Sequence, residues 1–408
     1  MAIKIYTIWV GQGDCTLIQT DTNKLILIDC GTSDNQKIYE DNVKPSIENI
    51  LKGLGKASID YLIITHSDKD HCNLISKLFA FTTFDVAYFG GLPNQYDYDL
   101  ELDPAKHNPE IKKIVQLAPY RFDILVNAII DDGDFKAWIV SGNYPFKGLP
   151  VGVKMDVDIN KKRKRTDRNK KENKVFDING NSLILVIYYK GFQAFFLGDA
   201  TIHQQETLYK KAEEANRLAN FKADMMKMSH HGSPDSMSTE LTNKAIKPQI
   251  ATASAGVTFG HPSQQAIVSI ADLTKTGAGK HNVVEYDKPN ETYLKLEDVV
   301  EYIYGTMQTF EQSSIEVPTE GKSGKKSHKP HAGELYLEMK GGNWVFEVSG
   351  PGVPTITSAK LEGILTTKGT TAVNDKKRRK RKLIRLVSNA RFVGGRWVEP
   401  DAVHGRTE

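Results

Sequence analysis

The stretch Tyr61–Asn73, Y-L-I-I-T-H-S-D-K-D-H-C-N, places a short apolar run directly before two histidines and two aspartates. The run Tyr61–Ile64 is typical of a strand with both faces covered, since such strands are continuously apolar and rich in β-branched residues. The loop after it offers four metal-ligating side chains: His66, Asp68, Asp70 and His71. Burying two carboxylates and two imidazoles this close together is unfavourable, and a divalent cation removes the penalty. The stretch therefore predicts a metal site in the loop at a strand end.

Length and composition are those of a folded protein. The chain has 408 residues, of which 39% are hydrophobic and 25% are charged, with a net charge of +4. It is long enough for more than one domain. Three cysteines without C-x-x-C spacing indicate reduced thiols. Because the N-terminus lacks the pattern of a signal peptide and no apolar run reaches the ~18 residues of a membrane span, we expect a cytoplasmic protein without membrane association.

Three later segments repeat the pattern of an apolar strand that ends in an acid or a histidine. Asp199 follows the run Ala194–Leu197, the pair His230-His231 follows Ala223–Met228, and His261 follows the strand predicted at Pro248–Ser254. Parallel strands that end at one edge of a sheet bring such residues together. The pattern predicts a single polar centre built from distant parts of the chain.

The N-terminal segment contributes two more acids to this picture. Asp14 closes the turn after the first predicted strand, and Asp29 ends the third. Each can orient a metal-bound histidine, as carboxylates at strand ends often do, or can only brace its own turn. Both interpretations stay open for both residues.

These blocks together resemble the metallo-β-lactamase superfamily, whose signature is H-x-H-x-D-H after a strand, then a later G-D and later histidines. Here Asp68 stands where the second histidine normally does. That difference resembles the ComEC-like competence hydrolase branch, and so do five further blocks. These are V-G-Q-G-D at Val10–Asp14, L-I-D-C-G at Leu27–Gly31, L-G-D at Leu197–Asp199, S-H-H-G-S at Ser229–Ser233 and G-H-P at Gly260–Pro262. The resemblance covers roughly residues 1 to 275 and implies an α/β fold, a four-layer αββα sandwich.

The resemblance also implies which residues surround the metal. The implied metal ligands are His66, Asp68, Asp70, His71, Asp199, His261 and one of His230 and His231. Asp199 would be the bridging carboxylate, and Asp70 would orient the attacking water. Whichever of His230 and His231 is not a ligand would act catalytically by protonating the leaving group. The cofactor would be one or two divalent ions, Zn²⁺ or Mn²⁺, because carboxylate-rich ligation suits harder ions.

Two basic runs bear on the substrate. They are K-K-R-K-R-T-D-R-N-K-K-E-N-K at 161–174 and K-K-R-R-K-R-K at 376–382. Phosphate backbones bind such clusters through counterion release. A solvated loop or tail is the alternative for each run. On this basis we predict nucleic acid as a partner.

The chain is predicted to divide into three parts. A hydrolase domain would occupy residues 1–308, with the basic insertion near 160–175. A linker rich in Ser, Lys, Gly and Pro would follow over 309–333, and a small β-rich basic C-terminal module over 334–408. In that module, strands at 334–340 and 343–348 would form a hairpin around Gly341-Gly342. The module would bind a protein partner or cap the main domain.

The function predicted from the sequence is that of a metal-dependent hydrolase with a metal-activated hydroxide as nucleophile. A phosphodiester or a nucleic acid is the preferred substrate, as for a nuclease or phosphodiesterase. One alternative is a hydrolase of a small ester, thioester or lactam. The other is a non-catalytic scaffold that binds nucleic acid or a protein partner, because fold alone does not decide function.

Overall fold

The computed structural model describes residues 2–34, 37–96, 98–117, 125–142, 178–233, 236–255, 343–352 and 354–355, Ala266, and the backbone of further strands. The strands up to residue 200 are β1 (Ile3–Thr7), β2 (Cys15–Gln19), β3 (Leu25–Cys30), β4 (Ser58–Ile64), β5 (Thr83–Phe89), β6 (Ile111–Gln116), β7 (Ile130–Asp132), β8 (Phe135–Ser141), β9 (Ile184–Tyr189) and β10 (Phe192–Phe196). The later strands are β11 (Met225–Lys227), β12 (Ile250–Ala253), β13 (Asn282–Asp287), β14 (Thr292–Glu297), β15 (Tyr302–Gly305), β16 (Met307–Ser314), β17 (Leu335–Val348), β18 (Thr355–Lys360), β19 (Arg391–Val393) and β20 (Arg396–Val398).

The α-helices are α1 (Lys44–Leu54), α2 (Lys69–Cys72), α3 (Ile75–Leu78) and α4 (Ile202–Glu214). Helix α1 has a proline in its first turn and ends at Gly55, whose φ of 64° is the left-handed conformation common after a helix. Helix α4 is capped by the Thr201 side chain, which accepts a hydrogen bond from the backbone N–H of Gln204. Short 3₁₀ and π turns complete the described helical structure, among them Ser229–Gly232.

Two mixed sheets form the centre of the fold. In the first, the strands lie in the order β16-β17-β1-β2-β3-β4-β5-β6, and β18 also pairs with β17. Strands β3 to β6 are mutually parallel, whereas β1 pairs antiparallel with both β2 and β17. The second sheet has the order β15-β12-β11-β10-β9-β8-β7, with β10, β11, β12 and β15 parallel. In each sheet, parallel strands therefore end at a common edge.

Three apolar clusters show how the layers pack. The cluster between the sheets contains Ile26 and Ile63 of the first sheet and Leu185 and Phe196 of the second. A second cluster packs α1 against the outer face of the first sheet, and a third packs α4 against the outer face of the second. Strand β3 is buried along its whole length, because both faces of its sheet are covered. The αββα sandwich expected from the resemblance is confirmed.

The C-terminal strands differ from the sequence expectation. Strand β17 runs through Gly341 and Gly342 without a turn, so the predicted hairpin there is wrong. Its first half pairs with β16 and its second half with β1 and β18, so the glycine pair marks the change of partner. Residues 309–314, predicted as linker, lie in β16, because the edge of β17 takes them as an antiparallel partner. The division of the chain into domains itself stays a prediction.

Within the described residues, no helix combines the length and the apolar character that crossing a membrane requires. Cys15, Cys30 and Cys72 are all buried free thiols. The basic runs 161–174 and 376–382 lie outside the described residues.

Candidate metal centre

The candidate centre lies where strands of both sheets end. His66 follows β4, and α2 carries Asp70 and His71. Asp199 follows β10 of the second sheet, and His230 and His231 follow its parallel neighbour β11. The carboxyl ends of parallel strands in the two packed sheets therefore deliver all of these side chains to one place.

Two glycines, one in the turn before β2 and one directly after β3, let the backbone approach the loop that carries His66 and His71. A Cβ at Gly13 would lie 2.1 Å from the carbonyl oxygen of Gly31, and one at Gly31 would lie 2.5 Å from the backbone nitrogen of His71. The Asp14 N–H also donates a hydrogen bond of 2.9 Å to the carbonyl oxygen of Asp70. Because no side chain fits at either position, the glycines in V-G-Q-G-D and L-I-D-C-G serve close backbone packing against the loop.

Asp199 is the residue on which the histidines converge. Its Oδ1 lies 3.1 Å from Nε2 of His71. Its Oδ2 lies 3.8 Å from Nε2 of His66, 3.7 Å from Nε2 of His230 and 3.8 Å from Nε2 of His231. Ligand atoms that share a zinc ion at about 2.0–2.2 Å lie roughly 3.3–3.6 Å from one another in a tetrahedral site. The spacing around Asp199 is therefore close to that of a ligand cage.

The hydrogen bonds of His66 fix which of its nitrogens faces Asp199. The Thr65 hydroxyl donates its proton to Oδ2 of Asp29 at 2.7 Å, so at 3.0 Å it accepts from Nδ1 of His66. The Ser182 hydroxyl is also 3.3 Å from that nitrogen. With the proton on Nδ1, the Nε2 of His66 has a bare lone pair, which is the form in which a histidine binds a metal.

His71 and His231 are held in the same way. Nδ1 of His71 donates to Oδ2 of Asp29 at 2.8 Å, and Nδ1 of His231 donates to the carbonyl oxygen of Ser254 at 2.8 Å. Each ring therefore has its Nδ1 held by an acceptor behind it and its Nε2 directed to Asp199. His230 and His231 adopt φ values of 48° and 56°, a left-handed conformation that is unusual for two consecutive non-glycine residues and typical of functional sites.

A site that fits a metal ion contains buried polar atoms that have no hydrogen-bond partner in the protein. Nε2 of His66, Nε2 of His71 and Oδ1 of Asp199 are buried and have no hydrogen-bond partner in the described part of the chain, apart from the 3.1 Å contact between His71 and Asp199. Buried polar atoms are nearly always satisfied, so three such atoms in one place call for a ligand. Imidazole nitrogens and carboxylate oxygens are the donors that Zn²⁺ and Mn²⁺ take. The residues present fit a divalent metal ion.

Asp14 lies on the opposite side of the rings. One ligand atom each from Asp14, His71, Asp199 and His231 can be chosen so that all four lie within 4.8 Å of one another. The Asp14 oxygens, however, lie nearest the Nδ1 atoms, 3.6 Å from that of His71 and 3.7 Å from that of His231. Since the metal-facing atoms are the Nε2 atoms, Asp14 lies behind the ligand cage.

Comparison with known proteins agrees with this geometry. Residues 8–144 match the family described as the metallo-beta-lactamase superfamily. This part of the chain is therefore similar to the metallo-β-lactamase superfamily. The match includes the first histidine block and ends before Asp199. No curated protein matches the sequence significantly.

Several solved structures are distantly similar to this chain. YhfI from Bacillus subtilis, titled a metallo-beta-lactamase fold protein, is 12% identical, with 64% of this chain and 88% of that chain covered and a TM-score of 0.35. Zn²⁺-bound PqqB from Methylobacterium extorquens is 10% identical, with 56% and 72% covered and a TM-score of 0.31. A diphosphatase of the PhnP family is 12% identical, with 62% and 87% covered and a TM-score of 0.30. Such distant similarity carries no information about the substrate of this chain.

The electrostatics of the candidate metal centre favour a bound cation. Burial, followed by the positive charge of His71, lowers the pKa of His66 to about 4. Burial alone would also lower the pKa of His231, but the carboxylates of Asp199 and Asp14 outweigh it and raise that pKa to about 10. Burial opposes ionisation of Asp70, yet the neighbouring His231 and His71 bring its pKa down to about 2. Asp70 is therefore ionised at neutral pH, and the carboxylates that raise the pKa of His231 favour a positive charge at this place, whether a proton or a metal cation.

Of the other predicted site residues, Asp68, Asp70 and His230 are partly exposed, and His261 lies outside the described residues. Oδ2 of Asp68 lies 3.8 Å from Nε2 of His66, and Oδ2 of Asp70 lies 3.4 Å from Nε2 of His231. The side chain of His230 is 37% exposed, whereas that of His231 is 1% exposed. Both histidines of the S-H-H-G-S block thus reach Asp199, one from the surface and one from the interior.

Several residues of the site carried no recognised signal in the sequence. Thr65 and Ser182 hold His66, and Lys227 contacts the carboxylate of Asp14 from a buried position. A threonine and a serine at strand ends are too common to single out. Lys227 could have been noticed as a charged residue inside the apolar strand that leads to His230. Asp29 is now seen to orient His71, the first of its two open interpretations.

Proposed function

We propose that this protein is a metal-dependent hydrolase. The observation that carries the proposal is the shared orientation of three buried histidines. His66, His71 and His231 each have Nδ1 held by an acceptor behind the ring, and each directs Nε2 to Asp199. Pre-orienting three imidazoles around one carboxylate serves metal binding, and members of this superfamily are mostly metal-dependent hydrolases.

We assign the residues as follows. Asp199 would be the bridging carboxylate, because its Oδ1 lies 3.1 Å from Nε2 of His71 and its Oδ2 lies 3.8 Å from Nε2 of His66. The other proposed ligands, for one or two ions of Zn²⁺ or Mn²⁺, are His66, Asp68, Asp70, His71, His231 and His261. Of the two adjacent histidines, the buried His231 is the proposed ligand. A bound divalent ion supplies Lewis-acid polarisation of the scissile bond and lowers the pKa of a coordinated water to about 7.

The chain's own groups would handle the protons. Asp70 is ionised at neutral pH, and its side chain is 19% exposed, so it can accept a hydrogen bond from a water entering the site. His230 is the more exposed of the two histidines and lies 3.7 Å from Oδ2 of Asp199. From that position His230 can donate a proton to a leaving group on the substrate side. Thr65, Asp29 and Ser254 hold the rings in place and take no part in the proton transfer.

For the substrate we propose a phosphodiester, with nucleic acid preferred, and a ComEC-like enzyme. This rests on the basic runs at 161–174 and 376–382, which suit a polyanion. A cytoplasmic location, in which nucleic acid and nucleotides are abundant, is part of the same proposal.

A single assay across substrates tests the proposal. The full-length protein, supplied with Mn²⁺ or Zn²⁺, is incubated with single-stranded DNA, RNA, cyclic nucleotides and simple esters, thioesters and lactams. Cleavage of a phosphodiester that disappears on chelation and in Asp70→Ala is the expected result. If only an ester, thioester or lactam is cleaved, the phosphodiester preference is wrong. If the protein binds DNA with no cleavage, and binding survives Asp70→Ala but not neutralisation of residues 376–382, it is a scaffold.

A further inference from the structure

Lys227 is a buried lysine at the inner end of the candidate metal centre. It is the last residue of β11, and its side chain is 4% exposed. Lysine is almost never buried unless its charge is paired. Here Nζ contacts Oδ2 of Asp14 and lies 3.5 Å from the carbonyl oxygen of Met228, to which it donates. The ammonium therefore has its counter-charge inside the protein, beside the site.

Asp14, the partner of Lys227, lies between two of the proposed ligands. Its Oδ2 is 3.6 Å from Nδ1 of His71, and its Oδ1 is 3.7 Å from Nδ1 of His231. Both ring protons already have closer acceptors, in Asp29 and in the carbonyl of Ser254. Asp14 therefore acts on the two rings as a neighbouring negative charge and not as their hydrogen-bond acceptor.

The position of Asp14 depends on the lysine. Apart from the Lys227 ammonium, its carboxylate oxygens have no hydrogen-bond donor within 3.5 Å among the described residues. Lys227 is the cation in direct contact with this carboxylate, and a buried carboxylate that loses such a partner is strongly destabilised. The candidate metal centre lies on the other side of the two rings. Lys227 thus holds Asp14 where it faces Nδ1 atoms and keeps it from becoming a ligand.

We propose that Lys227 is a positioning residue of the metal centre, which holds Asp14 behind His71 and His231 as a fixed negative charge beside both rings. This inference rests on the proposed function, since it concerns the same metal. Outer partners of metal ligands change metal affinity by about 10- to 100-fold when removed. A purely structural ion pair would instead change the stability of the protein and leave the affinity of the folded protein unchanged.

The test measures Zn²⁺ affinity of the full-length protein by competition with a chelator, and the absorption spectrum of Co²⁺ bound in place of zinc. Lys227→Met removes the charge and keeps the length of the side chain. Lys222→Met is the matched control, because Lys222 precedes the same strand but is exposed. We expect Lys227→Met to weaken Zn²⁺ binding by about 10- to 100-fold and to change the Co²⁺ spectrum, and Lys222→Met to do neither.

The double variant Lys227→Met/Asp14→Asn covers the case in which the single variant does not fold. It removes both charges together, so no buried charge is left without a partner and the protein should fold. We expect it to bind Zn²⁺ about 10-fold more weakly than the wild type, because the charge behind the rings is gone. Wild-type affinity with an unchanged Co²⁺ spectrum in either variant overturns the proposal, as does a double variant that fails to fold.

The outcomes also separate this inference from the proposed function. If the wild-type protein binds neither Zn²⁺ nor Mn²⁺, the proposed function is wrong and the inference fails with it. If the wild type binds metal and hydrolyses nothing, the hydrolase proposal is wrong, and the affinities of the Lys227 variants still decide the positioning role. If the wild type binds metal and hydrolyses a substrate but Lys227→Met matches it, only the positioning role is wrong.

Discussion

The hairpin of β2 and β3 meets the second sheet through buried carboxylates at both of its ends, and the two ends differ in how those carboxylates are satisfied. At the turn, Asp132 of β7 accepts hydrogen bonds from the hydroxyls of Thr20 and Thr22 and pairs with Lys24 at 3.3 Å. At the opposite end, Asp199 faces four histidines and keeps an oxygen without a hydrogen bond in the described chain. Buried charge alone therefore does not mark a binding site. Several buried metal-binding atoms that lie together and lack hydrogen bonds do, as His66, His71 and Asp199 show.

The largest loss of metal affinity is expected for Asp199→Asn, at the histidine end of the β2–β3 hairpin. The variant removes the charge on which the histidines converge, so metal binding should weaken by more than the about 10- to 100-fold that losing an outer partner causes. Hydrolysis should fall with it. Competition titration with Zn²⁺ and the substrate assay measure both.

Asp132→Asn is the matched control for Asp199→Asn, because it changes a buried aspartate at the other end of the same hairpin. Its metal affinity should equal that of the wild type. Equal weakening in the two variants would mean that the contrast between the ends is wrong.

The second largest loss of metal affinity is expected when Asp29 is replaced, because Asp29 accepts hydrogen bonds from Thr65 and His71 on the side away from the metal centre. Asp29 accepts from the Thr65 N–H at 2.7 Å, from the Thr65 hydroxyl at 2.7 Å and from Nδ1 of His71 at 2.8 Å. In Asp29→Asn the amide NH₂ replaces one acceptor, and asparagine tolerates the φ of 54° found here. We expect Zn²⁺ affinity to fall by about 10- to 100-fold, measured by the same titration.

Asp60→Asn serves as the control for Asp29→Asn. Asp60 lies on β4 and accepts from a backbone N–H of β3 at 2.8 Å, but it does so at the end of these strands away from the histidines. Its replacement should leave Zn²⁺ affinity unchanged. Loss of affinity in Asp60→Asn would show that any damage to these strands disturbs the site, and the special role of Asp29 would be lost.

The third effect is stabilisation by the metal itself. A ligand that binds only the folded state at 100 times its Kd stabilises that state by about 2.7 kcal/mol. Adding Zn²⁺ to chelator-treated protein should therefore raise the melting temperature, as followed by circular dichroism. The rise should be the same in Asp132→Asn and absent in Asp199→Asn. No rise in the wild type would contradict metal binding at this centre.

Local patterns in the sequence predicted that His66, His71 and Asp199 come together. The abrupt change from Tyr61–Ile64 to His66 and the strand-end position of Asp199 both have structural counterparts. The αββα architecture followed from the resemblance that these patterns revealed. Features of this kind can be predicted because strand, loop and ligand are adjacent in the sequence.

Features that depend on distant contacts could not be predicted. Strand β1 pairs with β17 across most of the chain, with Ile3 opposite Val348, and nothing near either residue signals the other. The Gly341-Gly342 pair resembles a turn locally, and only the exchange of strand partners explains it. The proposed role of Lys227 likewise depends on Asp14, which lies in the turn before β2 of the other sheet. Such contacts are properties of the assembled layers.

The smallest effect is expected for Asp132→Ala, at the turn end of the β2–β3 hairpin, where the carboxylate has hydrogen-bond partners. The variant removes hydrogen bonds that connect the two sheets, and its free energy of unfolding should fall by about 1–3 kcal/mol at neutral pH. Burial would raise the pKa of Asp132, but Thr22, Thr20 and Lys24 together lower it. A carboxyl with a lowered pKa in the folded state contributes stability above its unfolded pKa of about 3.9 and loses it as the pH falls through the folded value.

The difference in stability between the wild type and Asp132→Ala should therefore be full near neutral pH and should shrink in acid. Urea unfolding at a series of pH values measures it. The Zn²⁺ affinity of the variant should stay that of the wild type at neutral pH, because Thr20, Thr22 and Lys24 satisfy Asp132 without any metal. A difference that grows in acid, or a loss of Zn²⁺ affinity, would place Asp132 among the groups that the metal centre needs and would remove the contrast between the two ends of the hairpin.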